Sequence, residues 1–530
     1  MASAFPLVRD VAGLKAGRFD LLVIGGGIYG AWTAYDAALR GLSVALVEKT
    51  DWGCGTSQSS SKLIHGGLRY LEHYELRLVR HALAERRVLS EIAPHLVRPL
   101  NFRVPVWSYS RVGRMQLLAG LTLYDFLATG KQPVPRYKSF SRVQMEAAHP
   151  YLAKPGLKGG LRYGDCQEDD ARMTMVVVAA AQAAGAVCAN GVAAQSLIEH
   201  EGRVVGARLL DDERGESFEL RAGVTVNAAG PWARALTASA LGETAPAVKL
   251  VKGVHLVLPA VPGLEDAFLL TAPQDGRVFF VIPWQHRTLV GTTEAAILDP
   301  RETVVTEAES AYLLAAVNTL LPGLGWTEAD VIGRFAGART LQAEDADSLS
   351  AQTREFVVSQ PRPGLIWPIG GKYTTGRCDA ADIVDHVLAM LGRPIRESLS
   401  HRYPLPGAPG GLHEDSARHS AMLGDFTGWQ AEAMAALRAR GLAADIARSL
   451  SLRHGTRVAR IHALLDEQPA WAARLLDDAP LIEAEVVLAV REEGARSLED
   501  VVRRRLPLSL IARPGAWQQR VAKLMEAAAA

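Results

Sequence analysis

The chain has 530 residues, of which 48% are hydrophobic and 22% charged, and its formal net charge is +1. This length predicts about two to four domains, the composition is typical of a soluble globular protein, and the small net charge argues against nucleic-acid binding. The four cysteines, Cys54, Cys166, Cys188 and Cys378, form no C-x-x-C pair, so they indicate neither a zinc site nor a disulfide framework. No apolar stretch is long enough to span a bilayer, and no signal peptide is evident. We expect a cytoplasmic protein that can still touch a membrane surface.

The first predicted elements surround a glycine-rich turn. An apolar run, Leu21 to Ile24, predicts a strand that ends at the spacing Gly25-x-Gly27-x-x-Gly30, and a helix-forming run follows. This spacing is typical of a dinucleotide-binding turn, in which the first glycine makes the turn, the second admits a pyrophosphate and the third lets the helix pack on the strand. A second apolar run ends at Glu48, where such folds have an acid for a ribose hydroxyl. The sequence therefore predicts a dinucleotide site without saying which dinucleotide.

A polar loop comes next and leads into a helix that we expect to begin near Glu75, with Leu76 on its apolar side. The first half of the loop is rich in small hydroxyl side chains, namely Thr56, Ser57, Ser59, Ser60 and Ser61. Its second half contains Lys62, His65, Arg69 and Tyr70. A loop this polar, between a dinucleotide half-site and a helix, is suited to line a ligand cavity.

The next part of the chain mixes strands and helices. NFRVPVW predicts a strand, and an apolar helix is expected around Gln116 to Leu127. Asp169 and Asp170 precede a strongly helical run, where acids cap a helix and complement its dipole. We interpret this acidic pair as structural and predict no metal site, because no further ligand cluster accompanies it.

A β-rich region then interrupts the predicted dinucleotide domain. The runs Lys249 to Pro259 and Val278 to Thr293 alternate in the manner of antiparallel strands. A second glycine turn at Gly370-Gly371 precedes a helix from about Thr375, which can bring another helix N-terminus to the ligand. The proline- and glycine-rich stretch from His401 to Gly411 predicts a domain boundary, and mostly helical patterns follow it.

Basic side chains from three distant loops form the predicted substrate pocket. Arg69, Arg339, Arg354 and Lys372 flank the hydroxyl-rich loop and the second glycine turn. Arginine suits bidentate phosphate recognition, so a basic cluster at a redox cofactor predicts an anionic substrate such as a phosphate ester. His65 and His255 are candidates for proton transfer, because an unperturbed histidine titrates near neutral pH.

Four segments carry a resemblance to a known family: GGGIYGAWTAYDAALRGLSVALVEK, SSSKLIHGGLRYLEHYELRLVRHALAER, FFVIPW…VGTTE and GGKYTT. From about Phe19 to Arg377 the chain resembles the aerobic, FAD-dependent glycerol-3-phosphate dehydrogenase family, with looser similarity in AEVVLAVREEGARSLEDVVRRR. The resemblance implies an α/β fold with three parts. They are a Rossmann-type FAD-binding domain of the glutathione-reductase type (1–100, 161–245 and 336–400), an antiparallel-sheet substrate domain that interrupts it (101–160 and 246–335), and an α-helical C-terminal domain (412–530).

The resemblance also implies roles for individual residues. Glu48 is expected to hold the adenosine ribose, Val192 the adenine portion and Gly230 the pyrophosphate region. The full set of expected FAD contacts is Gly25, Gly27, Gly30, Glu48, Thr56, Ser57, Ser60, Ser61, Leu63, His65, Val192, Gly230, Gly371, Lys372 and Thr374. Substrate is expected at Arg69, Tyr70, His255, Arg354 and Lys372, with His65 and Arg339 as the catalytic candidates.

The implied reaction is hydride transfer from C2 of sn-glycerol 3-phosphate to the flavin of FAD, giving dihydroxyacetone phosphate, with electrons passed on to a membrane quinone. A base must take the C2 hydroxyl proton, and an arginine base would need an unusual environment because its pKa is so high. Another polyol phosphate such as erythritol phosphate, or oxidation by O₂ with peroxide release, remains an alternative. A flavin sensor and an NAD-dependent dehydrogenase are alternatives of other classes. A homodimer and peripheral contact with the cytoplasmic face of a membrane are compatible with the resemblance.

Two departures from the family pattern lie near the predicted pocket. Arg339 is followed by Thr340, where the family often has Arg-Pro, and the chain has Thr375-Gly376-Arg377, where the family often has Thr-Thr-Tyr-Arg. Both bear on which polyol phosphate is accepted. The basic and apolar segment RRRLPLSL is a candidate for membrane docking, although we favour a helix end inside the C-terminal domain.

Overall fold

The computed structural model describes residues 4–242, 245–343, 356–409 and 426–529. Its strands are β1 Phe19–Ile24, β2 Val44–Glu48, β3 Leu63–Ile64, β4 Arg98–Trp107, β5 Lys138–Phe140, β6 Leu157–Gln167, β7 Val187–Asn190, β8 Val192–His200, β9 Arg203–Asp211, β10 Glu216–Asn227, β11 Val248–Pro259, β12 Ala267–Thr271, β13 Val278–Trp284, β14 Arg287–Gly291, β15 Ala295–Ile297, β16 Gly333–Gln342, β17 Val357–Arg362, β18 Leu365–Ile369, β19 Arg474–Leu476 and β20 Ala479–Ile482.

The helices alternate with these strands and then dominate the C-terminal part. They are α1 Val11–Ala16, α2 Ile28–Leu39, α3 Leu76–Ile92, α4 Arg114–Leu127, α5 Arg142–Ala148, α6 Asp170–Ala183, α7 Ala233–Leu241, α8 Glu307–Leu320, α9 Gly376–Met390, α10 Phe426–Ala439, α11 Ala444–His454, α12 Val458–Glu467, α13 Glu483–Glu492, α14 Leu508–Ile511 and α15 Ala516–Ala529. Three short 3₁₀ segments near the site are Thr56–Ser59, Leu68–His73 and Gly230–Trp232, and Asp500–Arg505 forms a π-helical turn. None of the described helices is long and apolar enough to cross a bilayer.

A mostly parallel sheet forms the predicted dinucleotide domain. Its strand order is β17-β18-β10-β1-β2-β7, in which only the edge pairing of β17 with β18 is antiparallel. Along β1, Leu21 and Val23 pack with α2, α6 and α9, whereas Leu22 and Ile24 face the antiparallel extension β8-β9-β10. Because both faces of the sheet are covered, the residues Leu21 to Ile24 of β1 form a continuous apolar run, as is usual in parallel strands.

A second sheet interrupts this domain, as predicted. Its order is β15-β11-β14-β13-β12-β4-β6-β3, with β16 added beside β11 and β5 beside β6, and β4 with β12 is its one parallel pairing among the described residues. On β11, Val254 and Leu256 pack with α8, while Val257 faces a core shared with α4 and the C-terminal part. The predicted boundaries at 160/161 and 335/336 fall inside β6 and β16, and both strands belong to the second sheet along their whole length.

The C-terminal part is helical apart from the short hairpin β19-β20, and buried ion pairs join it to the dinucleotide domain. Asp51, just after β2, accepts hydrogen bonds from Arg504 Nε at 2.5 Å and from Arg505 Nη2 at 2.9 Å. Arg172 on α6 pairs with Glu493 at 3.0 Å. This arrangement agrees with the favoured interpretation of RRRLPLSL as a helix end inside the C-terminal domain, because Arg504 and Arg505 are buried as ion-pair partners of Asp51.

The predicted fold class is confirmed, with two local differences. Leu76 is 39% exposed and does not join the buried side of α3, which is formed by residues such as Val79, Leu83 and Leu89. Residues 410–425 lie outside the described part of the chain. The predicted boundary at 401–411 ends within this range, and the predicted domain 412–530 begins within it.

Candidate cofactor and substrate site

The turn between β1 and α2 has the close backbone contacts that its glycines predict. Gly25 has a φ of +110°, and a Cβ atom there would lie 2.5 Å from the carbonyl oxygen of Ala228. A Cβ atom on Gly30 would lie 1.8 Å from the Gly25 oxygen, so only glycine lets α2 pack this tightly on the turn. Gly27 is the N-cap of α2, and Gly25 and Gly27 both line a cavity. The helix N-terminus therefore opens onto this cavity, which suits an anionic group.

Glu48 stands at the end of β2 beside the same turn. Its Oε2 accepts a hydrogen bond from Gly26 N at 2.7 Å, and its Oε1 accepts one from Thr50 N at 3.0 Å. Because an ionised carboxylate offers about four acceptor positions, Glu48 can accept further hydrogen bonds from hydroxyl groups in the cavity.

One cavity of about 600 Å³ gathers most of the predicted site. The predicted residues that line it are Gly25, Gly27, Glu48, Thr56, Ser57, Ser60, Ser61, Leu63, His65, Tyr70, Val192, Gly230, Arg339, Gly371, Lys372 and Thr374. Gly30 lies behind the turn, and neither Arg69 nor His255 is among the lining residues. Arg354 falls outside the described residues.

Asp170, at the start of α6, holds the hydroxyl-rich loop in place by accepting hydrogen bonds from it. Asp170 Oδ2 accepts hydrogen bonds from Ser60 N at 2.9 Å and Ser60 Oγ at 2.8 Å, and its Oδ1 accepts one from Lys62 Nζ at 2.5 Å. Asp169 caps the helix through Arg172 N at 3.3 Å. The structural interpretation of this acidic pair is confirmed, and among the described residues no group of acids, histidines and cysteines is arranged to hold a metal.

Lys62 is a buried cation whose structural role the sequence did not indicate. It is 2% exposed, and its Nζ also donates to the Gln58 carbonyl at 2.7 Å. Burial lowers the pKa of Lys62, while the charge of Asp170 acts in the opposite direction. Lys62 and Asp170 together hold the backbone that carries the cavity-lining hydroxyls.

The second glycine turn closes the opposite wall of the cavity. Gly371 has a φ of +84°, and a Cβ there would lie 1.8 Å from the hydroxyl of Tyr29. That hydroxyl donates to Asp379 Oδ2 at 2.5 Å, and Thr375 Oγ1 donates to the same oxygen at 2.7 Å. Burial raises the pKa of Asp379 to about 7. Tyr29 and Asp379 were missed by the sequence analysis, although the four-residue spacing of Thr375 and Asp379 puts them on one face of α9.

This turn meets the hydroxyl-rich loop at one end of the cavity, whose lining also includes His65 and Arg339. The backbone N–H of His65 donates to Thr374 Oγ1 at 3.2 Å, and Lys372 Nζ lies 3.4 Å from the centroid of the Tyr70 ring. Arg339, on β16, is 3.5 Å from Glu294. The fold thus brings together residues that are far apart in sequence.

His255 lies one layer behind the cavity wall. Its Nε2 is 2.9 Å from Ser61 Oγ, and its ring stacks on Phe335 with centroids 4.9 Å apart. Burial lowers the pKa of His255 to about 3, and the charges of Arg339 and Lys62 add to this effect. The imidazole is therefore neutral near pH 7, and its partner Ser61 lines the cavity.

The two departures from the family pattern have different positions. Thr340 lines the cavity next to Arg339. Thr375, Gly376 and Arg377 are not among the lining residues, and Arg377 pairs with Glu85 at 2.5 Å and donates to Ser400 Oγ at 3.1 Å. Only the first departure can therefore touch a bound molecule.

The residues fit a dinucleotide cofactor. The cavity lies within the usual 300–1,000 Å³ range of ligand sites. A glycine-lined helix N-terminus lies beside the acid at the end of β2, and Lys49 stacks its ammonium 3.9 Å from the Trp232 ring at another part of the wall. The helix N-terminus suits a pyrophosphate, the acid suits a ribose, and the wall at Trp232 suits a flat ring system.

Comparison with known proteins gives the family. Residues 20–376 match the model of FAD dependent oxidoreductases, and residues 398–529 match the C-terminal domain of alpha-glycerophosphate oxidase. A glycerol-3-phosphate dehydrogenase of Mycobacterium leprae is 38% identical over 93% of this chain and 81% of its own length. The chain belongs to the FAD-dependent glycerol-3-phosphate dehydrogenase family. The predicted FAD cofactor and the predicted family are both confirmed.

Other relatives agree with this assignment. A glycerol-3-phosphate dehydrogenase of Synechocystis is 34% identical, covering 96% of this chain and 91% of that protein. The crystal structure of the glycerol-3-phosphate dehydrogenase of Bacillus halodurans, complexed with FAD, superposes with a TM-score of 0.75 at 28% identity, over 98% of this chain and 90% of that one. The similarity spans both sheets and the helical C-terminal part.

Proposed function

We propose that the protein oxidises sn-glycerol 3-phosphate to dihydroxyacetone phosphate with FAD as its cofactor and a membrane quinone as electron acceptor. The observation that carries the proposal is one cavity in which a dinucleotide turn, a hydroxyl-rich loop and two cations, Arg339 and Lys372, come together. When bound, FAD supplies the redox chemistry by accepting a hydride from the substrate. The chain supplies binding, orientation and proton transfer.

The cofactor-binding roles follow the walls of the cavity. Gly25 and Gly27 receive the pyrophosphate at the N-terminus of α2, and Glu48 accepts a ribose hydroxyl. Val192 contacts the adenine portion and Gly230 the pyrophosphate region. The flavin side is surrounded by Thr56, Ser57, Ser60, Ser61, Leu63, His65, Gly371, Lys372 and Thr374. Gly30 acts indirectly, because its contact with Gly25 sets the position of α2.

The substrate-binding roles fall to the basic end of the cavity. Lys372 and Arg339 attract the phosphate, and Tyr70 orients the ammonium of Lys372 through its ring. Arg69 adds positive charge near Tyr70, and Arg354, which lies outside the described residues, stays a predicted substrate contact. His255 positions the Ser61 hydroxyl, since its own ring is buried and neutral.

His65 is the proposed proton acceptor. It lines the cavity, as Leu63 and Tyr70 do, and histidine is the side chain that most often acts as a general base in enzymes. An arginine side chain does not lose its proton in proteins, so Arg339 cannot take the proton from the substrate. It acts instead by stabilising the negative charge that develops on the substrate oxygen.

The remaining parts of the proposal concern partners. A quinone dissolved in the bilayer requires the protein to reach the cytoplasmic face of a membrane, and a homodimer is compatible with the symmetry that most soluble oligomers adopt. These parts rest on the reaction and on the family.

Anaerobic addition of glycerol 3-phosphate to the purified yellow protein tests the reaction. We expect the flavin absorbance to bleach and to recover when a quinone analogue is added. Parallel assays with erythritol phosphate, and with O₂ as sole acceptor and peroxide detection, separate the related activities. Preference for the longer polyol phosphate, or faster turnover with O₂ than with quinone, would replace this proposal, and absence of bleaching would point to a flavin sensor.

A further inference from the structure

Three consecutive arginines stand on the π-helical turn Asp500–Arg505 of the C-terminal part. The hydrogen bond that makes the turn π-helical runs across five residues, from Leu506 N to the Val501 carbonyl, at 2.8 Å. π-Helical turns are rare in proteins, and many of them lie at functional sites. This one borders the hydroxyl-rich loop and the end of β2, so its arginines reach from one domain into another.

Acids balance the charges of two of these three arginines. Asp51 accepts hydrogen bonds from Arg504 Nε at 2.5 Å and from Arg505 Nη2 at 2.9 Å. Arg504 Nη2 also pairs with Asp500 at 2.5 Å. Both charges are therefore balanced at contact distance, and the two side chains hold the C-terminal part on the dinucleotide domain.

Arg503, the first of the three, contacts neutral acceptors instead. Its Nη2 donates to the Gln58 carbonyl at 3.2 Å and to Ser59 Oγ at 3.5 Å. Within the described ranges of the chain, no carboxylate forms an ion pair with its guanidinium. Burial lowers the pKa of Arg503 to about 10, and nearby acids, chiefly Asp170, act against this effect from beyond contact distance. The side chain is therefore a cation at neutral pH.

The Gln58 carbonyl lies between two cations that differ in their partners. Lys62 Nζ donates to it at 2.7 Å, on the same oxygen that Arg503 contacts. Lys62 has an ion-pair partner in Asp170 at 2.5 Å, so its charge is balanced. Charged groups away from bulk water are normally paired. Of the two cations, Arg503 is therefore the one whose charge is left to act on its surroundings.

Ser59 connects Arg503 with the cavity. It lines the cavity in the same loop as Ser57 and Ser60, on the wall that was assigned above to the flavin side. Arg503 is not among the lining residues, so its guanidinium lies one residue behind that wall. A charge acts more strongly across packed side chains than across water, because the effective dielectric constant is lower there. A molecule in the cavity would thus be influenced by Arg503 without contacting it.

We propose that Arg503 stabilises the negative charge that arrives on the flavin during substrate oxidation, so that the C-terminal part raises the reduction potential of the site. When the C2–H bond of the substrate breaks, its electron pair and its proton pass to the flavin together, which adds one negative charge there. Charge placed near the ring system is one of the means by which a protein tunes a flavin. The inference deepens the proposed function, and it rests on the assignment of the hydroxyl-rich loop to the flavin side.

Redox titration of the holoenzyme against reference dyes tests the inference without any substrate. Arg503→Gln removes the charge and keeps hydrogen-bond donors. It should lower the equilibrium constant for flavin reduction about tenfold, since a unit charge that acts across one layer of side chains has an effect of this size. For a two-electron couple, this is a fall of about 30 mV in midpoint potential. Arg503→Lys keeps the charge and should stay within about threefold of the wild type, or about 15 mV.

A matched control and a second neutral variant accompany this pair. Arg438→Gln removes an exposed cation of α10 in the same C-terminal part. It should change the equilibrium constant by less than about twofold, because water and salt screen an exposed charge. Arg503→Met keeps an aliphatic chain near the Phe335 ring, from whose centroid Arg503 Cζ is 5.4 Å, and should show the same fall as Arg503→Gln.

Titration of the apoprotein with FAD separates the effect of charge from a structural role. A purely structural Arg503 would hold oxidised and reduced FAD equally, so its loss would weaken both and leave the potential unchanged. That result, or an equal fall in Arg503→Lys, would overturn the inference. We expect Arg503→Gln to weaken binding of reduced FAD about tenfold more than binding of oxidised FAD, as the shift in potential requires.

The outcomes also separate this inference from the proposed reaction. A potential that depends on the charge of Arg503, in a protein that does not oxidise glycerol 3-phosphate, would sink the reaction and keep the role of Arg503. An unchanged potential in an active enzyme would do the reverse.

Discussion

The ammonium group of Lys372 lies 3.4 Å from the centroid of the Tyr70 ring. This contact joins the hydroxyl-rich loop after β2 to the second glycine turn before α9, two segments that come from distant parts of the sequence. A cation over an aromatic face is held in position without losing its charge. The pair therefore offers a directed positive charge at the substrate end of the cavity.

Removing this charge should weaken the use of a phosphorylated substrate. Lys372→Ala should lower kcat/KM for glycerol 3-phosphate by about 30-fold or more, since loss of one partner of a desolvated charge contact costs about 2–5 kcal/mol. Tyr70→Phe keeps the ring and should change kcat/KM by less than about threefold. Steady-state assays with a dye acceptor measure kcat/KM for both variants. Lys523→Ala, which changes an exposed residue of α15, is the control. An unchanged kcat/KM in Lys372→Ala would remove this lysine from the site.

The glycine at the second turn should be needed for cofactor retention. In Gly371→Ala the new Cβ meets the Tyr29 hydroxyl, so Tyr29 must leave its hydrogen bond with Asp379 and the cavity wall must shift. We expect the ratio of flavin to protein absorbance after purification to fall severalfold. Gly392→Ala is the matched control, because its φ of +65° is similarly unfavourable but no atom lies near the new Cβ. Equal flavin loss in both variants would mean that backbone strain alone, and not the clash at the cavity, is responsible.

Substitutions in the buried pair of Lys62 and Asp170 should have separable effects on stability and on cofactor binding. Lys62→Met leaves Asp170 as an uncompensated buried charge and should lower the free energy of unfolding by about 3–5 kcal/mol. The double variant with Asp170→Leu removes both charges and should regain much of that loss. It should still hold FAD poorly, because Ser60 loses the acceptor that fixes its N–H and hydroxyl.

Urea unfolding and flavin absorbance measure these two effects. The exposed pair Lys15 and Glu216, 2.8 Å apart, gives the control. Lys15→Met should lower stability by less than about 1 kcal/mol. Full recovery of flavin content in the double variant would show that the loop does not need Asp170.

The raised pKa of Asp379 predicts a dependence of stability on pH. The ordinary value is 3.8 and the folded value is about 7, so between these limits the folded protein binds more protons than the unfolded chain. The free energy of unfolding contributed by this group therefore falls as pH rises through that range. Asp379→Asn cannot ionise and still accepts from Tyr29 and Thr375. The stability of this variant relative to the wild type should therefore rise by about 2–3 kcal/mol between about pH 5 and about pH 8.

Thermal unfolding across this pH range checks the prediction. Asp477→Asn changes an exposed carboxylate and should run parallel to the wild type at every pH. A constant difference between Asp379→Asn and the wild type would contradict the titration of Asp379 in this range.

Local patterns in the sequence were sufficient for much of the fold. The glycine spacing at Gly25, Gly27 and Gly30, and the apolar runs around it, depend on contacts between near neighbours, and the structure has the expected strand, turn and helix there. The antiparallel sheet was also predictable, because alternation along a strand reflects which face is buried. The arginines of RRRLPLSL were harder to interpret, since the buried acid that pairs with two of them, Asp51, is distant in sequence.

What the sequence determined by itself was the type of each local element and the chemistry available in each loop. What only the tertiary structure decided was which of those groups face the same space. His255 lies behind Ser61 and is neutral, Arg377 points into an ion pair with Glu85, and Lys372 meets Tyr70. The physical reason is that burial and the pairing of charges depend on neighbours brought together by the packing of two sheets, and no local spacing in the chain encodes them.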